Sequence, residues 1–169
     1  MLKRNYETAV ARARFGRLAA CGAAIFVLGC TNVLAAANLQ DWAGYWTGTG
    51  KIVLNNGQTE HVKCVVTYKV TASQLKQNLR CAGQGYSLNG TADLEIAASG
   101  GVSGVWTENT YSARGDVTGK TTERGFSLSI SGPTFTAIMD ASTTACKQSL
   151  DIVPKGFDVS RISLGLARC

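Results

Sequence analysis

The sequence predicts an all-β protein, a single antiparallel up-and-down β-barrel of about eight to ten strands held by two disulfides. Three observations predict it. From residue 38 onward, apolar and polar residues alternate with period two in short runs, and none sustains a helical period. The runs follow one another across turn-sized gaps, and a closed meander is the simplest way for such strands to hide their edges. Glycines at 48, 50, 90, 104, 119 and 165 lie inside the runs, where a small barrel must bend its strands sharply.

The first strand is GYWTGTGKIVL, ended by an Asn55-Asn56-Gly57 turn. Its GTGK core invites a phosphate-loop reading. Tyr45, however, stands where such a loop needs its first glycine, Ile52 where it needs a hydroxyl, and no helix follows to face an anion. Alternation accounts for the segment instead, with Trp46, Gly48, Gly50, Ile52 and Leu54 on one face and Tyr45, Thr47, Thr49 and Lys51 on the other. The second strand, 60–70, and the third, 75–83, flank a turn at 71–74. The fourth, 86–97, sets Leu88, Gly90, Ala92 and Leu94 against Asn89, Thr91, Asp93 and Glu95, and Ser99-Gly100-Gly101 turns it into the fifth, 102–109. Five more follow over 116–122, 126–131, 134–141, 146–153 and 159–168. Turn signals at Ala113-Arg114-Gly115, Glu123-Arg124-Gly125, Ser131-Gly132-Pro133 and Pro154-Lys155-Gly156 separate most of them.

The Gly44-Tyr45-Trp46 triplet at the start of the first strand resembles the G-x-W signature of the calycins, the lipocalin and avidin superfamily. That resemblance implies a ligand-holding barrel in which a basic residue near the last strand packs over the Trp, a part open to Arg161 or Arg168. The other lipocalin signature blocks are missing, and ten strands exceed the usual eight. With its Lys63-Cys64 and Leu79-Arg80-Cys81 hairpin, the chain also resembles small exported bacterial proteins of uncharacterised activity.

Residues 1–37 read as an export signal and 38–169 as the barrel domain. Lys3, Arg4, Arg12, Arg14 and Arg17 precede an apolar run over 18–28, and Ala35-Ala36-Ala37 offers small residues for cleavage. The expected location is periplasmic or secreted. Val27-Leu28-Gly29-Cys30 leaves a second route, a lipoprotein anchored through Cys30. No membrane span is expected in the mature chain. Five of the 17 basic residues and one of the 11 acidic ones lie before residue 38; the remaining 12 and 10 nearly balance, which argues against nucleic acid as a partner.

Four cysteines remain beyond residue 37, and in an exported chain an even set reads as bridged. A turn at 71–74 opposes Val70 to Leu75, Tyr68 to Gln77, Val66 to Leu79 and Cys64 to Cys81, one apolar face that pairs Cys64 with Cys81. Cys146 then pairs with Cys169. Placing these two directly opposite leaves Ile162, Leu164 and Leu166 facing the wrong way, so either a bulge in the last strand or a frayed C-terminus is required.

No chemistry stands out. His61, the single histidine, falls on an outward strand position beside Glu60 and Lys63, which leaves a triad without a base. Asp93 and Glu95 belong to a polar face, and Glu108, Glu123 and Asp140 carry no sign of burial. C-x-x-C spacing is absent, so no metal is expected, and neither is a cofactor. The sequence therefore reads as no enzyme. On the inward faces Trp46, Tyr68, Gln77, Trp106 and Gln148 are larger or more polar than a dry small barrel needs. Trp46, Tyr68, Gln77 and Trp106 are the expected contacts of a small, largely apolar ligand, with glycines 48, 50 and 104 making room for it. Two alternatives stay open: a periplasmic protease inhibitor acting through its N-terminal arm, 38–43, and an envelope interaction module acting through the 111–115 loop.

Overall fold

A computed structural model describes residues 38–169. The expected signal and lipidation site, 1–37, lie outside the described residues. Ten strands follow a short 3-10 turn at Leu39–Asp41: β1 Gly44–Leu54, β2 Thr59–Val70, β3 Gln74–Ala82, β4 Ser87–Ile96 and β5 Gly101–Glu108, then β6 Ala113–Thr121, β7 Gly125–Ser131, β8 Thr136–Thr143, β9 Lys147–Lys155 and β10 Val159–Ala167. Each pairs antiparallel with its sequence neighbours, and β1 closes the barrel on β10. The meander leaves no free edge.

Alternation places the core as the sequence predicts. Trp46, Ile52, Val66, Leu79, Leu94 and Leu164 are among the buried residues filling the lumen, while Thr, Ser and charged side chains cover the outside. The β2–β3 ladder has the predicted register, with Cys64 opposite Cys81, and that disulfide lies inside the barrel. In the last hairpin Leu164 faces Leu150 and Leu166 faces Gln148, which turns the leucines inward. Cys169 lies two residues past the end of this pairing and bonds back to Cys146, so the frayed terminus is what the chain uses. A bulge does exist in β10, at Ser160, but against β1, where its hydroxyl donates to the Val53 carbonyl at 3.1 Å.

Two expectations are corrected. Ala113-Arg114-Gly115 is the start of β6, not a turn, because Ser112 adopts φ 55° and completes the reversal earlier. The glycines do not open the lumen either. A Cβ at Gly48 would lie 2.0 Å from the Gly165 carbonyl oxygen, and one at Gly104 would lie 2.1 Å from that of Asp93. These positions let neighbouring backbones bend into close approach, so the space is already filled by main chain.

Candidate functional site: the barrel interior

The two ends of the barrel are built differently. At the end where residues 38 and 169 lie, Trp42 follows the 3-10 turn into the lumen and is 1% exposed. Its ring meets Phe126 at 4.9 Å and Tyr68 at 5.6 Å, while its carbonyl accepts the Trp46 indole N–H at 2.9 Å. Arg168 lies over the Trp46 ring at 4.6 Å and donates to the carbonyls of Ala145 and Ala43 at 2.8 and 2.9 Å. It is Arg168, then, that packs over the tryptophan; Arg161 pairs with Asp151 on the outer surface. The 38–43 arm is the stopper of this end rather than a protruding inhibitory segment.

Aromatic rings crowd the opposite end. Tyr86 and Tyr111 meet at 5.6 Å, Phe135 and Phe157 at 4.7 Å, and Trp106 reaches Phe135 at 5.9 Å. Glu108 lies beneath them, 2% exposed, contrary to the expectation that it is solvated. Its carboxylate accepts from the backbone N–H of Asn89 at 2.8 Å and of Tyr111 at 2.6 Å, which ties the β5–β6 turn to β4. Tyr86 has its phenol pushed up to about 12 by burial, then by the nearby Tyr111 and Glu108 charges and a hydrogen bond with Tyr111.

Between the ends lie two voids. The larger, of about 60 Å³, is at the aromatic end under Tyr86, Tyr111, Phe135 and Phe157, with Glu108 in its wall. The smaller, of about 20 Å³, is under Trp42 and Tyr68. Gln77, Trp106, Ile130, Met139 and Leu150 line both, so they are the partition. A polar chain runs beside the smaller void: Gln77 Nε2 donates to the Tyr68 oxygen at 3.0 Å, and Tyr68 donates to Gln148 Oε1 at 2.9 Å. Burial drives the Tyr68 phenol far above its usual range, against the opposing pull of Gln77, so it stays a neutral donor.

Of the predicted ligand contacts, Tyr68, Gln77 and Trp106 line these voids. Trp46 does not: it is sealed at the stoppered end. Glu108, Tyr86 and Trp42 were missed by the sequence reading. Glu108 has the parity of Val102, Gly104 and Trp106, a signal that was there to use; Trp42 precedes its strand and has no periodicity to betray it. His61, Asp93, Glu95, Glu123 and Asp140 are exposed, and none lines either void. A wider concavity of about 1060 Å³ crosses the outside of β2–β5. Its wall mixes charged side chains such as Lys69, Lys76 and Asp93 with Tyr45, Val65 and Val105, and it opens broadly to water, so its volume is mostly bulk solvent.

No family model matches the chain, and no curated protein matches it. Solved structures do share its fold. A protein of unknown function from the DUF3598 family of Nostoc punctiforme superposes with a TM-score of 0.57 at 12% identity, over 80% of this chain and 50% of its own. The chain thus spans half the length of that relative. An S-type phycobiliprotein lyase from Guillardia theta superposes with a TM-score of 0.56 at 14% identity, over 76% of this chain and 88% of its own. The lyase overturns the expectation that the protein is no enzyme, because a barrel of the same fold serves a protein named for catalysis. The chain folds as a closed, antiparallel, ten-stranded barrel, a fold it shares with these two proteins.

Proposed function

We propose that the barrel binds one small, mostly apolar molecule in its interior, admitted through the aromatic end. The observation that carries this reading is the pair of adjoining voids, walled by apolar side chains and provided with one hydrogen-bonded polar chain. Binding sites combine these features: apolar walls supply affinity, and a few fixed polar groups supply orientation. Ligand pockets usually exceed about 300 Å³, so the voids hold only a small fragment until the partition yields. Met139, unbranched and half-buried in that partition, is suited to yielding. The lyase gives independent support in that a barrel of this architecture serves a protein named as a phycobiliprotein lyase.

Titration with an apolar fluorescent probe tests the reading. Saturation at one probe per chain is expected, with loss of binding on Met139→Trp, which would fill the partition while the outer surface stays unchanged. Probe emission that rises without saturating would refute it. We also propose that the protein acts outside the reducing cytoplasm, a reading supported by its two disulfides and the export-like pattern of residues 1–37. Intact mass of the native product is the check: a start near Asn38 with four bridged cysteines is expected, and retention of Met1 would contradict export.

A further inference from the structure

The larger void has a carboxylate in its wall and no base. Glu108 lines it and is 2% exposed, whereas no Lys, Arg or His lines either void. Among the described residues the ion pairs are Lys76–Asp93 and Arg161–Asp151, both on the outer surface, so no cation of the chain answers the Glu108 charge. A buried charge without a countercharge is costly, because neutral donors replace only part of its lost hydration.

The carboxylate is held in place without being saturated. One oxygen accepts the Asn89 N–H and the other the Tyr111 N–H, so each keeps acceptor capacity to spare. Acceptance at both oxygens is the pattern of an anion, since a protonated acid would set its O–H against one of these donors. Burial parity with Val102 on β5 turns the group into the lumen. Around it, Tyr86, Tyr111, Trp106, Phe135 and Phe157 line the same void, and aromatic ring faces are themselves electronegative. The Glu108 charge reaches these rings: the Tyr86 phenol is pushed up to about 12 by burial first, then by Tyr111 and by Glu108. A metal ion does not fit, because no group of three ligating side chains exists among the described residues.

We propose that the larger void seats the ammonium head of a protonated aliphatic amine against the Glu108 carboxylate and the surrounding rings. This rests on the interior-binding reading above and names its ligand class. An ammonium supplies the missing countercharge, donates to the free acceptor sites and is attracted by the ring faces. A carboxylate head meets a like charge in a site shielded from water, where repulsion is least screened. An alcohol bonds Glu108 without neutralising it. The ligand's apolar chain would run inward past Trp106 and Met139 toward the smaller void.

Calorimetric titration of the full barrel with hexylammonium, hexanol and hexanoate at neutral pH separates the outcomes. Hexylammonium is expected to bind about tenfold more tightly than hexanol, the preference that one charge-assisted hydrogen bond supplies, with hexanoate weakest. The amide protons of Asn89 and Tyr111, which donate to Glu108, report the contact in the wild type by NMR. Both should shift along the hexylammonium binding curve and move less with hexanol. Glu108→Gln, which removes the charge and keeps the shape, should bring hexylammonium within about twofold of hexanol. Because that variant disturbs one of two backbone contacts, the wild-type affinities and amide shifts decide the matter if it does not fold. Hexanol or hexanoate binding as tightly as hexylammonium, or unmoved Asn89 and Tyr111 amides at hexylammonium saturation, would overturn this proposal and leave interior binding intact. Absence of saturable binding by all three probes would overturn both.

Discussion

The stoppered end and the aromatic end of the barrel solve opposite problems with similar residues. At the first, Trp42 and Trp46 are joined by a hydrogen bond, covered by Arg168 and flanked by a disulfide, and no void larger than about 20 Å³ remains. At the second, Tyr86, Tyr111, Phe135 and Phe157 touch ring to ring, and a void three times as large lies beneath them. The difference teaches that aromatic content alone does not distinguish core from site. What distinguishes them is whether the rings are fixed by directional bonds, which resist displacement, or by dispersion contacts, which can be exchanged for a ligand's.

The largest expected contrast is between truncations at the two ends. Trp46→Ala should cost about 3–5 kcal/mol in denaturant unfolding. Phe157→Ala, at a half-buried position, should cost about 1–2 kcal/mol and change probe affinity instead. Equal costs would erase the distinction between the ends. The disulfides sharpen it next. They span 17 and 23 residues, so their loop-closure contributions are similar, about 3 kcal/mol each. Access separates them, because Cys169 is exposed while Cys64 and Cys81 lie in the lumen. Mild reductant followed by thiol labelling should mark Cys146 and Cys169 on a folded barrel, and Cys64 and Cys81 only after unfolding.

Much of this was legible in the sequence because a strand reports its faces through parity. All ten strands and the β2–β3 register follow from alternation and turn residues alone. The parts that were not legible lack that signal. Cys169 bonds from beyond its strand, where register no longer dictates position. Ser112 is an unremarkable residue whose positive φ decides where β6 begins. Glycine parity suggested open space, whereas the space is occupied by the adjacent strand's main chain, a contact between non-neighbours in sequence. Trp46 was assigned to a ligand by its inward parity, but parity does not say at which level along the barrel axis a side chain lies.

Smaller effects probe the fastenings of each end. Arg168→Ala should cost about 2 kcal/mol by removing the stacked cation and its two carbonyl contacts, and Arg168→Lys should recover part of it, because a lysine keeps charge but not the planar fork. Smallest is the response to alkali. The Tyr86 phenol is held protonated up to about 12 in the fold against 10.0 in its ordinary state, so the folded form binds its proton more tightly. Its contribution is complete below pH 10 and is lost as pH rises from 10 toward 12. Unfolding midpoints should be level up to about pH 10 and then fall, and Tyr86→Phe should flatten part of that fall. Phenolate absorbance during the same titration identifies the group.

The central claim, that a ligand enters the lumen through the aromatic end, is tested most directly by methyl NMR during titration with an apolar probe. Met139 and Leu150 line both voids, whereas Val65 and Val105 line the outer concavity. Saturable one-to-one shifts at Met139 and Leu150, with Val65 and Val105 unmoved, are the predicted result. Shifts confined to Val65 and Val105, with Met139 and Leu150 unmoved at saturation, would contradict it and place binding on the outside of the barrel.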